Sequence, residues 1–211
     1  MSNIEPHEFT DLVRSAGDYI DWLSQALLNI RLPANNRVRA AAACLAIAQE
    51  HHHSIVLLVK HSLYASSFAL VRAAFEAYVR GEWLTLCAKD AQVCEFWKGR
   101  EPPRIDALLE DLEKCPPFCE QVLSGIKGRH WKVMCAYTHT GGLHVQRWNT
   151  SEAIEPAYDG QEIQEVISFV EWIGSLSALA VARLAEDEAL CDRVLCEWEK
   201  RSAIPDTNRH G

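Results

Sequence analysis

Apolar residues recur along most of this chain at spacings of three and four, the pattern of helices that each turn one face to a core. Over 6–30 the stripe is Phe9, Leu12, Val13, Ala16, Tyr19, Ile20, Leu23, Ala26, Leu27 and Ile30. Pro6, Glu8 and Asp11 suit a helix start, and the segment 32–36 ends that helix while Asn35 and Asn36 offer caps for the next. A second stretch begins near Arg37 and stays apolar or alanine-rich to Ala88. As one helix it would be about 75 Å long at 1.5 Å per residue, so a break is expected within 60–64, with the two halves packed antiparallel.

Beyond Asp90 the spacing predicts a short helix over 91–97, a loop at 99–103, and an amphipathic helix on Ile105, Leu108, Leu109 and Leu112 that Cys115-Pro116-Pro117 stops. Residues 118–123 read as helical, with Gly125 to Gly128 as a break. A helix over 129–140 then ends at Gly141-Gly142, and 143–158 reads as an ordered loop. Asp159 with Glu162 is a start signal for a last long helix, whose inward stripe is Ile163, Val166, Ile167, Val170, Ile173, Leu176, Leu179, Ala180 and Leu184. A final helix over 188–201 precedes a polar tail, 202–211, expected to be loose. No run of period-2 β-branched residues occurs. The expectation is an all-α fold, one domain over 1–201, built as a bundle of about four long helices with additional short ones.

Two places break the simple pattern. Arg72, Glu76 and Arg80 stand at i, i+4 and i+8, so a helix stacks them in a plus, minus, plus column. Leu70, Val71, Phe75, Tyr78, Val79, Trp83 and Leu84 surround them, so the column is expected to be buried or to line a cleft, with its charges paired. The bland reading is a solvated ion-pair stripe worth about 0.3–0.5 kcal/mol per pair. The second place concentrates Lys132, Tyr137, Thr138, His139, His144 and Arg147 around Gly141-Gly142. A chain reversal at those glycines could bring His139 and His144 onto one ligand. The alternative is a plain helix C-terminus, with His139 facing the dipole and a Gly cap.

Charge sharpens the second place. The chain is acidic overall, with a formal charge of −8, which disfavours nonspecific nucleic-acid binding by the whole surface. Yet residues 121–151 contain no Asp or Glu, while Lys127, Arg129, Lys132 and Arg147 add four positive charges. Such a segment could present a local anion site for phosphate or nucleic acid.

Other chemistry is sparse. No phosphate-cradling Gly-x4-Gly-Lys, Gly-x-Ser-x-Gly or His-Glu-x2-His is present. His51, His52 and His53 project about 100° apart on a helix, and Glu50-x2-His53 has no second copy, so no metal or other cofactor is expected. The eight cysteines lack the spacing of a disulfide scaffold and read as reduced, mostly buried thiols. The first residues have neither a basic start nor an apolar run, and the apolar run 172–182 is short, so neither a secretory signal nor a membrane span is expected and the location is read as cytoplasmic.

The run from Leu70 to Leu84 carrying Arg72, Glu76 and Arg80, with Trp131, Tyr137-Thr138-His139-Thr140-Gly141, Val145 and Tyr158-Asp159, resembles an uncharacterised family of bacterial helical proteins over about 40–184. That family has no established activity. More distantly the chain is similar to HEPN domains, many of them metal-independent ribonucleases and often dimeric. The resemblance implies a homodimer and RNA or a nucleotide as partner. The HEPN hallmark is an Arg followed four to six residues later by a His. Here the nearest pair, Arg129 and His139, has nine residues between.

The leading expectation is a cleft walled by Arg72, Glu76 and Arg80 on one side and by Tyr137, Thr138, His139, His144, Arg147 and Lys132 on the other. In it His139 or His144 would act as base or acid, and Arg72 or Arg147 would stabilise phosphate charge. The rival expectation is a non-enzymatic interaction or structural protein in which the same groups form a sealed network.

Overall fold

The computed structural model describes residues 6–202, and among these it contains nine α-helices and no strand. They are α1 (Pro6–Ala26), α2 (Asn36–Lys60), α3 (Tyr64–Leu86), α4 (Asp90–Trp97), α5 (Ile105–Leu112), α6 (Val122–Thr138), α7 (Gly142–Gln146), α8 (Gly160–Leu184) and α9 (Glu188–Ser202). The expected loose tail lies outside the described residues apart from Ser202, which ends α9.

The break in the long apolar stretch falls where length required it. α2 stops at Lys60, Ser62 takes a left-handed φ of 58°, and α3 starts at Tyr64. The two helices then lie closely together because their contact is built from small residues. A Cβ on Gly81 would stand 2.8 Å from Leu45 Cγ and 3.3 Å from the Ala41 carbonyl oxygen. Ala41, Leu45, Ala74 and Phe75 are fully buried around this line.

α8 completes the core against α2 and α3 through Ile167, Val170 and Ile173, all fully buried. Asp159 caps it, its side chain accepting from the Gln161 amide while Glu162 reaches back to the Asp159 amide. Its length and hydropathy would suffice to cross a membrane, but its apolar face is the surface on which the other helices pack. α1 and α9 close the far side of α8 through Tyr19, Leu23, Ala178, Ala182, Leu190 and Val194.

Three local expectations are corrected. The helix expected to break at Gly125 to Gly128 runs unbroken as α6, and residues 118–121 form turns instead. Both glycines face open space, so each costs helix propensity without opening a gap. Leu123, Ile126, Met134 and Tyr137 hold the inner face of α6 against the core and outweigh that cost. The expected loop at 143–158 begins as a short helix, α7. The thiols are not mostly buried. All eight are free, but only Cys44 is buried, and Cys94, Cys119 and Cys196 are exposed.

Candidate functional site

α6 packs on α3, and this contact assembles the site. At its end, the single Thr138 hydroxyl proton is shared between the Ala69 carbonyl of α3, 3.2 Å from Oγ1, and the Met134 carbonyl of its own helix, 2.9 Å away. That crosslink places His139, the residue capping α6, over the first charge of the α3 column.

Arg72 is held from several directions. Its Nε donates to Glu76 Oε1 at 2.7 Å, and its Nη1 lies 2.9 Å from His139 Nε2 and 3.5 Å from Cys135 Sγ. Its guanidinium carbon sits 4.5 Å from the Trp131 ring centroid, a cation–π stack. A guanidinium can only donate, so His139 Nε2 accepts and the imidazole carries its proton on Nδ1 in this arrangement. Glu76 Oε2 takes Arg80 Nη2 at 2.6 Å. The column is neither sealed nor bathed in water: the Glu76 side chain is 14 % exposed, those of Arg72 and Arg80 24 % and 31 %.

The column forms one wall of a cleft of about 610 Å³. Cys44, Ile47 and His51 of α2 form a second wall, Thr138 and His139 a third, and Phe96 with residues 99–102 the rim. Glu76 engages one nitrogen of each arginine facing it. Among the described residues, Arg72 Nη2 and Arg80 Nε and Nη1 have no hydrogen-bond partner. Of the other charges at the rim, Arg100 is engaged by Glu95 at 2.6 Å and Glu101 is exposed.

The structure divides the remaining expected residues. His144 does not join His139. The turn at Gly141 folds it back under α6, where its Nδ1 meets the Tyr137 carbonyl at 2.8 Å and the residue is only 7 % exposed. Gly141 allows this close approach, since a Cβ would lie 3.1 Å from Ala136 Cα and push the two segments apart by a few tenths of an ångström. Tyr137 is likewise buried, edge-on to Phe68 and His144, and burial raises its hydroxyl above the usual tyrosine range. Arg147 forms a two-pronged pair with Glu162 at the start of α8, which raises its already high pKa further. Lys132 is exposed on α6 and outside the cleft. The positive segment is thus half neutralised through space, Lys127 by Asp106 at 2.7 Å and Arg147 by Glu162, leaving Arg129 and Lys132 on the surface.

Sequence reasoning assigned no role to His51, Phe96 or Arg100, all of which line the cleft. The histidine run gave a partial signal. Three consecutive helical positions diverge, and here His51 reaches the cleft, His52 is 1 % exposed and His53 is on the surface. Two further ion pairs were also missed, the buried Glu82 with the exposed Arg183, and the half-buried Glu171 with Arg201. Burial pushes both carboxyls up, against the lowering effect of their arginines. Among the described residues no group of three or more His, Cys, Asp or Glu side chains is placed to hold a metal ion.

A family model described as a family of unknown function (DUF6988) matches residues 45–199, and the chain belongs to that family. The matched span contains the arginine column, His139 and α8. No curated protein and no solved structure matches the chain significantly.

Proposed function

Since membership in this family leaves the chemistry to the geometry, we propose that the cleft between α2, α3 and α6 binds a phosphate-bearing ligand, a nucleotide or a short RNA. The observation that carries this reading is the pair of guanidiniums on one cleft wall. A single carboxylate orients both, and three of their nitrogens have no partner among the described residues. Planar forks of this kind suit phosphate oxygens. In the reading, Glu76 positions, Arg72 and Arg80 bind, and Thr138 fixes His139 at the mouth.

Catalysis, where the ligand is RNA, would be of the metal-independent ribonuclease kind. The Arg and His that do not stand at HEPN spacing along the chain meet in space as Arg72 and His139. Arg72 Nη1 occupies the lone pair of His139 Nε2. A phosphate drawing that nitrogen away frees Nε2 to accept a proton, so binding and activation of the base are one movement. Arg72 then stabilises the charge on the phosphorus oxygens. The overall charge of −8 favours a short ligand over a long strand.

Titration calorimetry in EDTA with adenosine monophosphate and with a short single-stranded RNA tests the reading. Wild type should bind at least one of them, Arg72→Met should weaken it at least tenfold, and affinity should fall as salt rises. RNA cleavage by wild type that His139→Ala loses identifies the enzymatic form. Absence of binding to both ligands at millimolar concentration overturns the proposal. It favours the rival reading, supported by the Glu76 carboxylate having both oxygens satisfied within the protein.

A further inference from the structure

Cys87 and Cys115 are far apart in sequence and touch in the fold. Cys87 caps the C-terminus of α3, its amide bonding the Trp83 carbonyl, and Cys115 closes the turn after α5, its amide bonding the Leu112 carbonyl. Their sulfurs are 3.7 Å apart. Both side chains are half-buried, so the pair is held by packing yet open to a small oxidant. Cys119, the obvious sequence neighbour, turns its sulfur toward the Cys115 carbonyl oxygen at 3.8 Å.

We propose that Cys87 and Cys115 are a modification site, the pair that hydrogen peroxide converts to an intramolecular disulfide. The Cys115 sulfur, as thiolate, attacks one peroxide oxygen. The O–O bond breaks, and the departing hydroxide takes up the released proton as water, leaving Cys115 as a sulfenic acid. The Cys87 sulfur then attacks the Cys115 sulfur, the S–O bond breaks, and hydroxide leaves with the Cys87 proton as the second water. Two thiols lose two electrons and two protons, and one peroxide gains them. The balance is the same whichever of the two touching sulfurs attacks the peroxide first. Burial, then the neighbouring Cys115 sulfur and the Asp111 carboxylate, push the Cys87 thiol up to about 12, so reaction with peroxide is slow and speeds up as pH rises.

The bond would join the end of α3 to the segment leading into α6. These are the two helices whose other ends carry Arg72 and His139, so oxidation staples the far end of the pair that walls the cleft. The site stands on its own geometry and does not depend on what the cleft binds.

Dilute protein treated with hydrogen peroxide, quenched with an alkylating agent and digested with trypsin decides the matter. The expected product links peptide 81–89 to peptide 115–127 through Cys87 and Cys115. Closing a loop of this length should raise Tm by on the order of 10 °C, reversibly with dithiothreitol, and Cys87→Ser should abolish both the link and the rise. The proposal is overturned if Cys115 is found joined to Cys119, or if Cys87 and Cys115 remain alkylatable after the exposed Cys94, Cys119 and Cys196 have been oxidised.

Discussion

Acid should destabilise this protein through one buried imidazole. His52 projects from α2 into the contact with α8 and lies tilted against the Tyr19 ring, 1 % exposed and with no partner for Nε2 among the described residues. A Cβ on Gly174 would stand 2.3 Å from its Nδ1, so α8 leaves no room for a counter-ion on that side. Burial first, and then the positive charges of His53 and Arg201, hold its pKa down to about 3. The folded-state value therefore lies below the unfolded value of about 6.5, and the unfolded chain binds the extra proton. Stability is lost as pH falls from 6.5, with the loss levelling off below about 3. At pH 4.5, two pH units into that window, the cost is about 2.7 kcal/mol, or about 8 °C in Tm. Glu82 and Glu171, both raised by burial, take up protons in part of the same window and act in the opposite sense. A comparison with His52→Met removes their effect because they are common to both proteins. Urea unfolding at pH 7 and pH 4.5 should show wild type losing about 2.7 kcal/mol more than the variant. Parallel losses in the two proteins would refute a neutral, buried His52.

Three further outcomes follow from the packing. Gly81→Ala should lower stability by about 1–3 kcal/mol in thermal unfolding, because the new methyl meets Leu45 and the Ala41 carbonyl in the α2–α3 contact. Gly174→Ala should cost at least as much, and combining it with His52→Ala should recover part of the loss, which a double-mutant cycle measures. Arg183→Met leaves the fully buried Glu82 carboxylate unpaired, so the variant should be destabilised by roughly 2–4 kcal/mol at pH 8 and by less at pH 5, where Glu82 can hold a proton.

How much was legible can be judged from single positions. The Lys60 to Tyr64 break, the Asp159 start and the α5 boundaries were readable because each rests on local rules: helix length, a side-chain cap, a proline stop. The α6 boundary was misread because the same local rules weigh Gly125 and Gly128 as breakers, whereas the decision lies with Ile126 and Met134, whose burial no neighbouring residue announces. The site divides in the same way. The Arg72, Glu76, Arg80 column is a property of one helix, and its i, i+4 pairing holds as spacing required.

Which histidine the column meets was a question of tertiary geometry. His139 and His144 look equivalent in sequence, but the close approach of Gly141 to Ala136 reverses the chain so tightly that only the residue before the turn can face α3. The residue after it is carried under the helix, to the Tyr137 carbonyl. The absence of acids from 121–151 has a matching explanation. Two of that segment's cations find carboxylates on α5 and α8, so the missing acids are supplied by other helices, and the free positive charge of the cleft comes from α3 instead. A compositional bias within one segment is thus a statement about which other segments it packs against, and it locates an anion site only when those neighbours leave its cations unpaired.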